Sequence, residues 1–150
     1  MSTFYGEKTS SIIIVLTCFA CFLITPSHSR TCFSYDWDIY IYNGIQDSTI
    51  DAHVKSKDND LGHHNLTYDL GYTFGFCENY FENTLFWGDF THGSQFVNFH
   101  VFDKAVISFI GGSTEHTNNV FWLLKQDGYY LSKEYKPYDD PAWTFWGHWQ

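Results

Sequence analysis

IDAHVKSKDNDLG, residues 50–62, sets the reading of the whole chain. Ile50, Ala52 and Val54 alternate with Asp51, His53 and Lys55, so apolar residues recur with period two and one face is wet. That is the pattern of a half-buried strand. The polar run that follows, ending in Gly62, is turn material. Upstream, DIYIYN at residues 38–43 sets Ile39 and Ile41 against Tyr40 and Tyr42; with both faces apolar, this strand belongs inside a sheet. Downstream, Tyr72, Phe74 and Phe76 alternate with Thr73, Gly75 and Cys77, which puts Cys77 on the less apolar face. Further strands are expected at residues 84–90, 95–102, 106–110, 119–125 and 129–132, with turns between them. Asp127-Gly128, between two apolar runs, is the strongest hairpin signal in the chain. About eight short strands at this spacing, with no amphipathic helix to cover them, indicate an all-β fold: an antiparallel sandwich or barrel. Residues 134–150 are the hardest to assign, because Pro137 and Pro141 interrupt regular structure while the aromatics need cover. They are expected to pack across the end of the sheets.

The chain of 150 residues has room for one domain. Its first part reads differently from the rest. Residues 12–24, IIIVLTCFACFLI, carry no charge, follow a polar start containing Lys8, and precede Pro26-Ser27-His28-Ser29. This is the pattern of a secretory signal at residues 1–29, cleaved after Ser29. The run falls short of the roughly 17–25 residues a membrane-spanning helix needs, so no insertion is expected once the signal is removed. The mature chain, residues 30–150, is acidic; the formal net charge of the full chain is −9. Its six lysines are scattered, which argues against nucleic acid or anionic lipid as a partner. Cys18 and Cys21 leave with the signal, so Cys32 and Cys77 remain. In an oxidising route they either pair with each other or stay as free or buried thiols.

Reactive chemistry is not indicated. His53, His63, His64, His92, His100, His116 and His148 lack the HxxxH or CxxC spacing of a zinc site. His63 and His64 are adjacent, so on a strand they would point to opposite faces. Asp58, Asn59 and Asp60 resemble a calcium loop only until Leu61-Gly62 shifts the register, and the twelfth residue is Asp69 rather than Glu. No GxSxG element occurs, neither remaining cysteine has an evident base, and spacing singles out no pair among the sixteen mature carboxylates. The expected protein is not an enzyme and takes no metal or cofactor. Asn65-Leu66-Thr67 is an N-glycosylation sequon, and Asn65 must face solvent if it is used.

Residues 52–62, AHVKSKDNDLG, resemble the signature of the plant self-incompatibility protein family, the S-protein homologues, in which a strand ending Cys-Lys-Ser-Lys enters an Asp-rich turn and Leu-Gly. Other blocks follow in the family's order. Ile41-Tyr42-Asn43 is similar to its first strand and Asn, and Tyr72-Thr73-Phe74-Gly75-Phe76 to its central aromatic strand. Thr84-Leu85-Phe86-Trp87 resembles its Leu-Phe-Trp block, and Phe99-His100-Val101-Phe102-Asp103 its later Phe-x-Val-Phe strand. Trp122 followed by Asp127-Gly128-Tyr129-Tyr130-Leu131 resembles its Trp and Asp-Gly hairpin ending. The cysteines depart from this pattern. Val54, Gly88 and Val120 stand at three positions where the family carries Cys, and the fourth, expected within residues 109–116, is also absent. The resemblance therefore implies a divergent member, in which Cys32 and Cys77 form a different single bridge.

For function, the resemblance implies a secreted β-sandwich that acts as an extracellular signalling ligand for a cell-surface receptor protein, in some members in the rejection of self pollen; a monomer is expected. The contact surface is expected on loops. The candidates are Lys57, Asp58, Asn59 and Asp60 in the first, Glu82 and Asn83 in the second, and Glu115 and His116 in the third. The alternative is a cell-wall carbohydrate-binding module that stacks sugars on Trp143, Trp146 and Trp149.

Overall fold

The computed structural model describes residues 30–79, 81 and 84–150; the secretory signal expected at residues 1–29 lies outside them. Nine strands and one short helix follow in order: β1 (Asp36–Asn43), β2 (Thr49–Ser56), β3 (Asp60–Thr67), β4 (Gly71–Cys77), β5 (Phe86–His92), β6 (Gln95–Phe102), α1 (Lys104–Ile110), β7 (Asn118–Lys125), β8 (Gly128–Ser132) and β9 (Thr144–Gly147). They form two sheets, ordered β4-β1-β7-β8-β9 and β3-β2-β5-β6. The architecture is an all-β sandwich, as the alternation predicts. Ile50, Ala52 and Val54 are buried while Asp51, His53 and Lys55 are partly exposed.

The inward faces meet in a core rich in rings. Trp37, Ile39, Ile41, Val120, Trp122 and Leu124 come from one sheet, and Ile50, Ala52, Val54, Phe90, Val97 and Phe99 from the other. Trp37 packs on Phe102 with ring centroids 4.9 Å apart, Phe76 on Phe86 at 4.7 Å, and Phe99 on Trp122 at 4.8 Å. Such pairs add about 0.5–1.5 kcal/mol each beyond the area they bury. Val54 and Gly88, two positions where the resemblance places cysteines, are direct cross-strand partners. A Cβ on Gly88 would stand 2.4 Å from the Phe90 ring, so that ring already occupies the space between the sheets.

β3 is not among the strands expected from sequence, where residues 57–62 read as turn; only Leu66 of its eight residues is buried, so it carries no apolar alternation. Three further features depart from the sequence reading. Residues 106–110, expected as a strand, lie in α1. Asp103 caps this helix by accepting from the Ala105 and Val106 N–H groups at 2.9 and 3.0 Å, and Gly111 ends it at φ 77°. A seven-residue apolar helix is too short for its period to show against that of a strand. Secondly, the sandwich is not wholly antiparallel, because β1 pairs with β7 in parallel, from Trp37↔Asn118 to Asn43↔Leu124. The chain passes from β6 in one sheet through α1 to β7 in the other, and so enters β7 running in the direction of β1.

The third of these features is the tail. Beyond Pro141, residues 144–147 form β9 on the edge of β8. Phe96 and Gln150 then exchange backbone hydrogen bonds of 3.1 and 2.8 Å, which tie the C-terminus to β6 of the opposite sheet. Gly128 accommodates this arrangement, since a Cβ there would come within 2.1 Å of the Gly147 carbonyl oxygen. Residues 135–143 cover the outer face of the first sheet, where Trp143 is buried with Phe121 and Leu123 against Tyr40, Tyr42 and Tyr138. Tyr40 and Tyr42 thus make β1 apolar on both faces, as its position between β4 and β7 requires.

Candidate functional site

The registers gather the ends of seven strands on one side of the sandwich. In the first sheet Asp36 faces Cys77, and Trp37 faces Asn118. In the second Lys55 faces Asp60, Ser56 faces Phe86, and Phe86 faces Phe102. Phe76 bridges the two sets, with Phe86 at 4.7 Å and Phe102 at 4.8 Å. The loops at residues 57–59, 78–85 and 111–117 therefore all leave from this end, and α1 begins beside it. Of the residues nominated from sequence, Lys57, Asp58, Asn59, Asp60, Glu115 and His116 lie at this end.

The first loop is tightly built. The Ser56 N–H donates to the Asn59 carbonyl at 2.7 Å, and the Asn59 N–H donates to Ser56 Oγ at 3.1 Å. Asp60 Oδ1 accepts from the Gly62 N–H at 2.9 Å and lies 2.8 Å from His53 Nε2. The Gly62 N–H and the His53 contact hold the Asp60 carboxyl below the usual carboxylate range. Lys57, Asp58, Asn59 and Asp60 are all exposed. In the third loop, Asn118 anchors the backbone: its amide donates to the Asp36 and Ser113 carbonyls at 3.0 and 2.8 Å and accepts from the Ser113 N–H at 2.7 Å. Glu115 and His116 stand exposed on that frame. Glu82 and Asn83, in the second loop, lie outside the described residues.

Beneath the loops, the N-terminal segment is fixed to β4. Cys32 and Cys77 form a disulfide with Cα atoms 5.4 Å apart. Ser34 Oγ donates to the Glu78 carbonyl, the Glu78 N–H donates to the Tyr35 carbonyl at 2.9 Å, and Trp37 Nε1 donates to the buried Glu78 carboxylate at 3.0 Å. Two aromatic side chains at this end were not anticipated from sequence. Phe33, next to the bridge, is fully exposed, and Phe81, in the second loop, is 80 % exposed. Neither belongs to an alternating run, so periodicity carried no signal for them; only their place beside a cysteine or in a turn marked them as outside the core.

The outer face of the second sheet is polar and internally paired. Lys55 Nζ donates to Asp89 at 2.7 Å, and Asn98 donates to the same carboxylate at 2.6 Å. The Lys55 contact is the main cause of the lowered Asp89 pKa. His53 and His63 stack at 4.1 Å, whereas His64 stacks on Tyr72 at 3.6 Å, so the adjacent pair do face opposite ways. Among the described residues no group of three His, Cys, Asp or Glu side chains is placed to hold a metal ion. The tryptophans nominated for sugar stacking are engaged elsewhere. Trp143 is buried and donates to the Pro137 carbonyl at 2.9 Å, Trp146 packs on Trp122 at 5.8 Å, and Trp149 donates to the Lys125 carbonyl at 2.6 Å. Among the described residues no helix is long and apolar enough to cross a membrane.

Residues 38–145 match the model of a protein family, plant self-incompatibility protein S1. The chain belongs to this family. It is 35 % identical to S-protein homolog 74 and 33 % identical to S-protein homolog 1, both of Arabidopsis thaliana, over 97 residues in each case. Those alignments cover 64 % of this chain and 62 % of each relative, so the chain spans about three fifths of the length of the curated relatives it matches. A solved structure of SPH (Self-Incompatibility Protein Homologue) proteins superposes with a TM-score of 0.51 at 14 % identity, covering 75 % of this chain and 96 % of the other. That likeness supports the fold. The proteins of that structure are described as a widespread family of small, highly stable, secreted proteins from plants.

Proposed function

We propose that this S-protein homologue is an extracellular ligand, released by cleavage after Ser29, that binds a cell-surface receptor protein through the loop end of its sandwich. It does so without catalysing a reaction. The observation that carries the reading is the convergence of three loops and two exposed phenylalanines over one disulfide-anchored end. Exposed aromatic rings beside charged loops supply the anchor and polar rim from which protein contacts are built. The loop charges are mixed, with Lys57 among Asp58, Asp60 and Glu115; on a chain of net charge −9 this favours a partner surface that is polar and basic in part.

The experiment is binding of labelled residues 30–150 to plant cells with and without surface proteolysis. Saturable binding that proteolysis abolishes supports a protein receptor. Binding that survives proteolysis and is competed by wall polysaccharide would transfer the case to a carbohydrate-binding module.

A further inference from the structure

The sequon Asn65-Leu66-Thr67 plays no part in the loop end, and the structure puts it beside an open polar cleft. Asn65 lies on β3, an edge strand of its sheet, with its side chain exposed, while Leu66 between it and Thr67 is buried in the core. Asn65 and Thr67 share the outer face with Asp51 and Thr49, their cross-strand partners on β2. The cleft, about 610 Å³, is lined by Gln46, Asp47, Ser48, Thr49, Thr67 and Tyr68. Thr67 thus belongs to both features, and two residues of extended strand separate it from Asn65 by only about 7 Å.

We propose that Asn65 carries an N-linked oligosaccharide whose first sugars seat in this cleft. The modification is a group transfer from a lipid-pyrophosphate-linked oligosaccharide in the secretory route. A bond forms between C1 of the first N-acetylhexosamine and Asn65 Nδ2, the bond from C1 to the phosphate oxygen breaks, the lipid pyrophosphate leaves, and the amide nitrogen gives up a proton. The acceptor needs an exposed Asn with a hydroxyl two residues on, and Thr67 supplies it. The cleft suits the product. Hydroxyls of Ser48, Thr49 and Thr67, the Gln46 amide and the Asp47 carboxylate can exchange hydrogen bonds with sugar hydroxyls. The Tyr68 ring, 40 % exposed, offers an apolar face with a polar tip. The cleft lies where β1 passes into β2 and β3 ends, at the opposite end of the strands from the three loops. A sugar chain seated there shields an edge strand from pairing with another chain and leaves the loop end open.

The test uses the full chain expressed and secreted by plant cells, read first by intact mass. The wild type and Thr67→Ser should carry the mass of one N-glycan, and Asn65→Gln and Thr67→Ala should lack it. Secreted wild type with unmodified Asn65 overturns the site. Seating is read by comparing Tyr68→Ala in the glycosylated protein and in the Asn65→Gln background. The substitution should lower Tm more when the glycan is present. An equal effect in both backgrounds overturns the seating.

Discussion

At the scale of single residues, polar side chains carry much of what makes this fold specific. Asn43 has no solvent exposure, yet its amide is fully used. Nδ2 donates to the Ser48 and Leu66 carbonyls at 2.9 and 2.8 Å, and Oδ1 accepts from the Ile45 N–H at 2.7 Å. It therefore ties β1 of one sheet to the turn before β2 and to β3 of the other. Asn43→Ala removes three hydrogen bonds and leaves their partners buried; the expected loss is about 3 kcal/mol. That corresponds to a drop of about 10 °C in Tm for a domain of this size, measurable by calorimetry. Tyr130 makes a pH-dependent contribution. Its hydroxyl donates to Asp127 Oδ2 at 2.5 Å, and this bond is the main reason that its pKa is raised to about 12. Because the folded pKa lies above the unfolded one, the contribution is full below the ordinary phenol pKa of about 10 and is lost as pH rises through about 12. A phenolate absorbance titration should find one tyrosine with a midpoint near 12, brought down by Asp127→Asn. A midpoint unmoved by that substitution would show that the hydrogen bond is not the cause.

Among the elements, those held by local alternation were legible and those held by distant partners were not. Residues 50–55 declare their face because every second side chain is apolar, and β2 follows that pattern. The Asp127-Gly128 hairpin was readable for the same reason, since its information lies within a few residues. α1 was hidden by its shortness. β9 was hidden because what makes residues 144–147 a strand is β8, and what holds Gln150 is Phe96, far off in sequence. The loop end was legible only in part: turn composition marked the polar loop residues, while Phe33 and Phe81 carried no pattern. The N-terminal segment depends on a bridge whose two cysteines are 45 residues apart. Closing a loop of that size contributes about 2–4 kcal/mol, so Cys32→Ser or Cys77→Ser should shift the urea midpoint down by that amount of stability. Peptide mapping without reductant should recover the two cysteines in one linked fragment. Two free thiols in the secreted protein would refute the bridge.

Taken as a whole molecule, the chain has the sandwich fold of its family. With Val54 opposite Gly88 and the Phe90 ring between the sheets, aromatic packing occupies a place where the family resemblance puts cysteine. The two ends of the sandwich also differ in character. One carries mixed-charge loops, the two most exposed rings, Phe33 and Phe81, and the disulfide; the other carries the cleft beside the sequon with the less exposed Tyr68, Leu70 and Phe96. That asymmetry is the basis for assigning partner binding to the loop end. The most direct test compares two variants with unchanged Tm for binding to plant cells. One combines Phe33→Ala, Lys57→Ala, Asp58→Ala, Glu115→Ala and His116→Ala at the loop end, and the other combines Ser94→Ala and Gln126→Ala, exposed in turns at the far end outside the cleft. The loop-end variant should lose at least about tenfold in affinity, the effect of removing one modest hot spot, while the far-end variant binds as the wild type does. Undiminished binding by the loop-end variant, or equal losses in both, would contradict the assignment.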